Sequence, residues 1–365
     1  MKNLKLFKNS KVIVTGHTGF KGSWLTAWLK QLGAEVMGIS LEPPTNPSHF
    51  KVSKINRGIK DIRLNILNKK KLENKIIKFK PQFIFHLAAQ SLVSLSYKKP
   101  ELTWQTNLIG TLNILESLRK LKKPCNVIII TSDKCYLNKE IRYAYKETDI
   151  LGGKDPYSGS KASAEILINS YINSFFSQKN SVRIVTARAG NVIGGGDWAP
   201  NRIIPDCANS WSKNKKVSLR NPNSTRPWQH VLEAVGGYLC LAINLKKNKN
   251  LHGEAFNFGP NLNKEFSVLE LVKSMSEHWG DVFWKKKNIK KNFFESGLLR
   301  LNCNKSKKLL KWKSILSFDE TAEIVSNWYN SFYLDPKNIE HVTEEQIRVY
   351  QSLAVKRGCK WAKTF

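Results

Sequence analysis

Cysteine is sparse and unpatterned in this chain. The six residues Cys125, Cys135, Cys207, Cys240, Cys303 and Cys359 are scattered, with no C-x-x-C pair and no neighbouring histidine at metal-ligand spacing. A disulfide scaffold and a bound metal are therefore not expected, and free thiols point to a reducing compartment, the cytoplasm. Long apolar runs are missing too: the stretch from Met1 to Lys8 is basic but never becomes a sustained apolar segment, so no secretion signal or membrane span is read. No internal repeat or low-complexity linker interrupts the sequence. Negative charge is scarce, with 28 acidic residues against 60 basic ones and a formal net charge of +32. A surplus of that size raises the question of nucleic acid or an anionic surface as partner. The lysines, however, are spread along the chain with only short clusters (Lys69-Lys70-Lys71, Lys285-Lys286-Lys287) and come with abundant Asn and Ile. A solvated basic surface that attracts anionic small substrates is the reading adopted, with no nucleic-acid or membrane partner.

What is present is a chain of 365 residues, 41% hydrophobic, long enough to bury a large core. Strand-like runs at 11–14, 35–39, 59–62, 83–87, 126–130 and 182–187 alternate with helical patterns such as 23–32, 102–118 and 157–176. Strands separated by helix-length segments build βαβ units with right-handed crossovers. The fold class expected is α/β, a Rossmann-type doubly wound parallel sheet with a smaller, interleaved C-terminal substrate-binding domain. Residues 1–192 would form the dinucleotide-binding part and 193–365 mainly the substrate part. Return segments near 228–260 include a helix at 231–245 and one more strand at 255–258.

Two stretches carry chemistry. Strand 11–14 runs directly into Thr15-Gly16-His17-Thr18-Gly19-Phe20-Lys21-Gly22 and then a helix. Gly16 would permit a tight turn, Gly19 the approach of a pyrophosphate to the helix N-terminus, and Gly22 close helix-on-strand packing. The spacing is G-x-x-G-x-x-G rather than G-x-G-x-x-G, so its place between strand and helix carries much of the assignment. Later, Thr131-Ser132-Asp133-Lys134 closes the apolar run 126–130, and Tyr157-Ser158-Gly159-Ser160-Lys161 opens a helix behind Asp155 and Pro156, an N-cap and a first-turn proline. Tyr157 and Lys161 then lie one turn apart on one face. A phenol with an ordinary pKa of about 10 is a poor base, and a nearby cation favours its phenolate.

These motifs, with Ser40-Leu41-Glu42-Pro43-Pro44-Thr45-Asn46-Pro47, His86-Leu87-Ala88-Ala89-Gln90, Gly194-Gly195-Gly196-Asp197-Trp198 and Arg226-Pro227-Trp228-Gln229-His230-Val231, resemble the extended short-chain dehydrogenase/reductase family, and within it the nucleotide-sugar dehydratases. The resemblance spans nearly the whole chain. It implies a cofactor held by Gly16, His17, Thr18, Gly19, Phe20, Gly22, Ser40, Asp61, Ile62, Leu87, Ala88, Ala89, Gln90, Asn107, Tyr157 and Lys161. NAD is favoured over NADP, because Ser40 and Glu42 follow the second strand and no arginine stands between Gly33 and Lys51. Asp61 matches an adenine-binding position, with a plain turn residue as the alternative. His17 is unusual in the turn and is expected to crowd the phosphates.

The reaction implied is redox-neutral loss of water from a nucleotide sugar, with CDP-glucose favoured. Tyr157 would take the 4-hydroxyl proton, Lys161 lower the phenol's pKa and bind ribose, Ser132 hold the hydroxyl, Asp133 protonate the departing 6-hydroxyl, and Lys134 serve as base. A protonated Asp133 and a neutral Lys134 conflict if the groups touch, and a charged ion pair between them is the alternative. Gln90, Ser132, Asn191, Asn201, Arg202, Arg226 and His230 are the substrate-side candidates, the arginines because a planar fork suits a diphosphate. Ser91, Ser94 and Asn201 depart from the family pattern of proline, arginine and aspartate, which leaves base and sugar preference open. Helices 102–118 and 157–176, with Phe175 and Phe176, match the pair that joins a homodimer. Alternative functions are dehydration of another nucleotide sugar, an epimerase or reductase of the same fold, and a non-catalytic NAD-binding protein with a basic surface. The joint presence of Ser132, Asp133, Tyr157 and Lys161 argues against the last.

Overall fold

The computed structural model describes residues 3–176, 181–261, 265–280, 282–286 and 298–364. At its centre are seven parallel strands: β1 (Lys11–Thr15), β2 (Glu35–Ser40), β3 (Lys60–Arg63), β4 (Phe83–His86), β5 (Cys125–Ile130), β6 (Val182–Ala189) and β7 (Ala255–Phe258). Their order across the sheet is β7-β6-β5-β4-β1-β2-β3, and every neighbouring pair is parallel. The chain reverses direction across the sheet between β1 and β4, which opens a crevice at their carboxyl ends.

The period-2 alternation of the strands splits the core into two faces. Ile13, Ile84, Val127 and Ile129 join Leu72, Ile76, Ile114 and Ile168 on one face, from α2 (Lys69–Phe79), α3 (Gly110–Arg119) and α4 (Pro156–Phe175). Val12, Val14, Phe85, Ile128 and Ile130 face the other way, against α1 (Phe20–Gln31), α5 (Val231–Lys247), α6 (Phe318–Leu334) and α7 (Ile339–Lys356). Helix α5 is apolar nearly all round and lies deep in that second layer. No helix among the described residues is long and apolar enough to cross a membrane. All six cysteines are free thiols, five of them buried.

The helix that the pattern at 102–118 predicts forms as one continuous run, a short α segment (Pro100–Trp104) leading through a π turn (Gln105–Ile109) into α3. The extra residue in the turn aims Asn107 into the protein, where its Oδ1 accepts from Gln90 N at 2.8 Å and its Nδ2 donates to Ser160 Oγ at 2.9 Å. Phe176, expected as surface, is buried against the first face of the sheet, and only Phe175 is exposed.

Candidate active site

The glycine turn is closed by backbone contact. Gly16 has φ +75°, and a Cβ there would sit 2.7 Å from Ala88 N; a Cβ at Gly22 would sit 2.1 Å from Gly16 O. Gly19 N-caps α1 without a side-chain acceptor, and the first turn holds no acidic residue, so its amides face the crevice unspent. Around this turn stand Phe20 and the backbone of Leu87, Ala88 and Ala89, with Ala88 N donating to Thr15 Oγ1 at 3.2 Å. Thr18 Oγ1 lies 2.8 Å from Ser40 Oγ and donates to Leu41 O. The fully buried His17 ring does not overhang the turn. It packs on Gly38 and Phe50, with Nε2 2.8 Å from Asp61 Oδ1. Burial lowers its pKa, and Asp61 opposes that.

At the end of β5, Ser132 caps the short turn Asp133–Cys135: its hydroxyl accepts from Lys134 N and donates to Asp133 Oδ1 at 2.9 Å. Asp155 caps α4, accepting from Ser158 N at 3.0 Å, and Pro156 occupies its first turn, so Tyr157 and Lys161 share one buried face. The phenol bonds to Ser132, which lowers its pKa, but burial dominates and pushes it up to about 12; Asp133 raises it and Arg202 lowers it. The cation that helps phenolate form is thus Arg202. Burial brings Lys161 down to about 8, and the nearby charge of Lys21 acts in the same direction.

Other sequence candidates are placed differently. Lys134 and Asp133 form no ion pair among the described residues. The Lys134 side chain lines a narrow cleft with Tyr136, Asn138, Lys154, Asp155 and Ser158. Gln90 spends its side chain on Thr103 Oγ1, Leu92 O and Leu92 N, so it braces its loop rather than offering an amide to substrate. His230 is fully buried, edge-on to Trp24, and caps α5 by accepting from Leu232 N. Arg202 is bound to Asp197 at 2.6 Å, Asn201 accepts from Arg220, Arg226 donates to Thr225 O, and Asn191 is exposed just past β6. Ile62 is half-buried beside the first core face.

Three residues outside the candidate set complete the site. Arg63 lies opposite Ser40 in the β2–β3 register, and its guanidinium meets Asp61 Oδ2 at 2.9 Å and Glu42 Oε1 at 3.1 Å. Below Lys161, Glu165 and Arg188 form a buried bidentate pair, 2.9 and 3.0 Å, with Thr131 and Thr186 donating to the same carboxylate. The i,i+4 spacing of Lys161 and Glu165, and an arginine inside the apolar run 182–189, are the signals that mark them.

A seven-stranded parallel sheet with a glycine turn at its switch point and a Tyr-x-x-x-Lys helix beside it defines a dinucleotide-binding oxidoreductase-type class of protein. Residues 13–325 match the family model described as GDP-mannose 4,6 dehydratase, and the chain belongs to that family, within the extended short-chain dehydrogenase/reductases. Over 336 residues it is 41% identical to CDP-glucose 4,6-dehydratase of Salmonella typhimurium, covering 91% of this chain and 94% of that protein. It is 25% identical to human dTDP-D-glucose 4,6-dehydratase, over 92% of this chain and 94% of that one. Among solved structures, UDP-glucuronic acid 4-epimerase from Bacillus cereus, in complex with UDP-glucuronic acid and NAD, superposes with TM-score 0.74 at 22% identity, over 88% of this chain and 100% of the other. dTDP-glucose 4,6-dehydratase from Bacillus anthracis in complex with NAD gives 0.69 at 22% identity, over 88% and 97%.

Proposed function

We propose that this chain is an NAD-dependent hydro-lyase that converts CDP-glucose to CDP-4-keto-6-deoxyglucose, feeding deoxysugar and O-antigen synthesis. The observation that carries this reading is Ser132 bonded to the buried Tyr157 phenol and to Asp133, with Lys161 one turn along the same helix, in a chain 41% identical to a CDP-glucose 4,6-dehydratase. The residues present suit a dinucleotide: the cradle at Gly16 and Gly22 tolerates no Cβ, and the α1 amides are uncapped. Asp61 and Glu42 outnumber Arg63 at the end of β2 and β3, which favours ribose hydroxyls over a 2′-phosphate and so NAD over NADP. A bound NAD would supply the reversible hydride acceptor that oxidation at C4 and reduction at C6 of the sugar require. Tyr157 takes the 4-hydroxyl proton, Ser132 holds that oxygen, and the Ser132 hydroxyl and the Arg202 guanidinium favour phenolate, with Lys161 one turn along the same helix face. Asp133, unpaired with any lysine, delivers a proton to the departing 6-hydroxyl. Lys134, on the neighbouring cleft, takes the proton from C5 as the 6-hydroxyl leaves and gives a proton back to C5 when C6 is reduced. Arg202 and Arg226 take the diphosphate, and segment 193–365 mainly builds the substrate lobe.

Incubation with a panel of nucleoside-diphosphate hexoses, without added reductant, should yield loss of water from CDP-glucose by mass spectrometry. Asp133→Asn should leave C4 oxidation intact, accumulate the absorbance of reduced nicotinamide and still exchange the C5 hydrogen, with product formation down by about 10² to 10⁴-fold; Lys134→Met should suppress the exchange. Inversion at C4 without water loss would replace this reading by an epimerase. We also read a cytoplasmic homodimer: segments 100–109 and 156–175 pack side by side and expose Leu102, Trp104, Ile109, Ile166 and Phe175. Sedimentation as a monomer at micromolar concentration would contradict it.

A further inference from the structure

One glycine beside the reacting groups is not explained by its backbone. Gly190 directly follows β6, and its φ lies outside the left-handed region, so the backbone there would carry a side chain without strain. What a side chain would meet is Asp133. A Cβ at Gly190 would sit 3.3 Å from Asp133 Oδ2 and 4.0 Å from Pro227 Cγ. Both approaches follow from strand register. Ile130 pairs with Ala187, which brings Asp133 and Gly190, each three residues further on, to the same end of the sheet; Val192 pairs with Gln229, which sets Gly190 against Pro227. Pro227 is fixed from both sides, because Arg226 pairs with Phe266 and Trp228 Nε1 donates to Phe266 O at 3.0 Å. The two oxygens of Asp133 are therefore unlike. Oδ1 accepts from the Ser132 hydroxyl at 2.9 Å, whereas Oδ2 faces the space over Gly190, where no hydrogen bond holds it among the described residues.

We infer that Gly190, with Pro227 as the facing wall, forms the subsite for the C6 hydroxymethyl group of the sugar and makes the chain select hexoses, an inference that rests on the dehydratase reading above. Because Oδ1 accepts from Ser132, the acidic proton of a neutral Asp133 belongs on Oδ2. A hydroxymethyl group seated over Gly190 sets its oxygen against that atom, so the absence of a side chain at 190 keeps the path from Asp133 to the departing hydroxyl clear. A methyl group at 190 would take up this space on the side of Asp133 away from Ser132. One methylene-sized change in a fitted pocket alters selection by about 10- to 200-fold.

The test compares CDP-glucose with CDP-xylose, the same sugar without C6, in the unmutated full chain and in Gly190→Ala, with NAD supplied. The pentose can be oxidised at C4, with loss of hydride to NAD and of the hydroxyl proton to Tyr157, but it has no hydroxymethyl group to seat and no water to lose across C5 and C6. Absorbance of reduced nicotinamide reads the pentose, and mass spectrometry for loss of water reads the hexose. The expected result in Gly190→Ala is hexose turnover down by about 10- to 200-fold with pentose oxidation unchanged. Pro227→Ala removes the facing wall without adding bulk; it should also lower the hexose rate relative to the pentose rate, and it decides the matter if Gly190→Ala does not fold. Equal loss with both sugars in a folded variant, or no loss with either, overturns the proposal. If the unmutated chain oxidises both sugars yet releases no water from CDP-glucose, the dehydratase reading itself fails, a result seen before any variant is made, and the subsite falls with it.

Discussion

Replacing Glu165 with Gln tests how the floor of the site is held. The carboxylate accepts from Arg188 Nε and Nη2, from Thr186 at 3.0 Å and from Thr131, all buried. Burial alone would raise its pKa; the Arg188 guanidinium overrides that and holds it below the usual range. Glutamine keeps the shape and one acceptor oxygen but turns an NH₂ toward the remaining donors and removes the counter-charge of Arg188, whose other polar partners are the neutral Tyr136 Oη and Glu147 O. A buried charge so stranded costs about 3–5 kcal/mol. Arg188→Met alone should cost a similar amount by leaving Glu165 uncompensated, whereas the double variant Glu165→Leu/Arg188→Met should cost far less than the two single changes added together. Guanidinium unfolding at one fixed protein concentration measures all three, since an oligomer's stability depends on concentration. Glu165 also raises the pKa of Lys161, so its loss should move the Lys161 limb of the pH–rate profile below about 8. A Glu165→Gln cost under about 1 kcal/mol, or costs that simply add, would refute the reasoning.

Gly22→Ala should abolish dinucleotide binding by titration and cost about 1–3 kcal/mol, because the new Cβ meets backbone that cannot yield; binding at the unmutated level would show that the turn is softer than its contacts imply. Burial lowers the pKa of His49, His86 and His230 to about 3 each, while in the unfolded chain they titrate near 6.5. The unfolded state therefore binds more protons between those values, and stability is full above about pH 6.5 and lost as pH falls, by up to about 4 kcal/mol per pH unit for the three together. Urea unfolding at pH 7, 6 and 5 measures this, and a flat profile would contradict it.

Local patterns were enough for most of the framework. Strand positions followed from β-branched runs whose alternation suits a two-faced sheet, and the starts of α1 and α4 from a glycine turn and from Asp155-Pro156, since caps and periods are short-range properties of the chain. The pairing of Tyr157 with Lys161 was legible for the same reason, being one helical turn. What tertiary structure alone decided are contacts between residues far apart in sequence. Arg63 reaches Glu42 and Asp61 only because β3 docks on β2 with Ser40 opposite Arg63. Asn107 turns inward only because the π turn answers Gln90 and Ser160. His230 stands in a motif that reads as substrate-side, and only the packing shows that the start of α5 carries it into the core beside Trp24. Local propensity specifies which segments become strands and helices; strand order, register and side-chain direction come from burying those segments against each other, and a linear pattern holds no record of that.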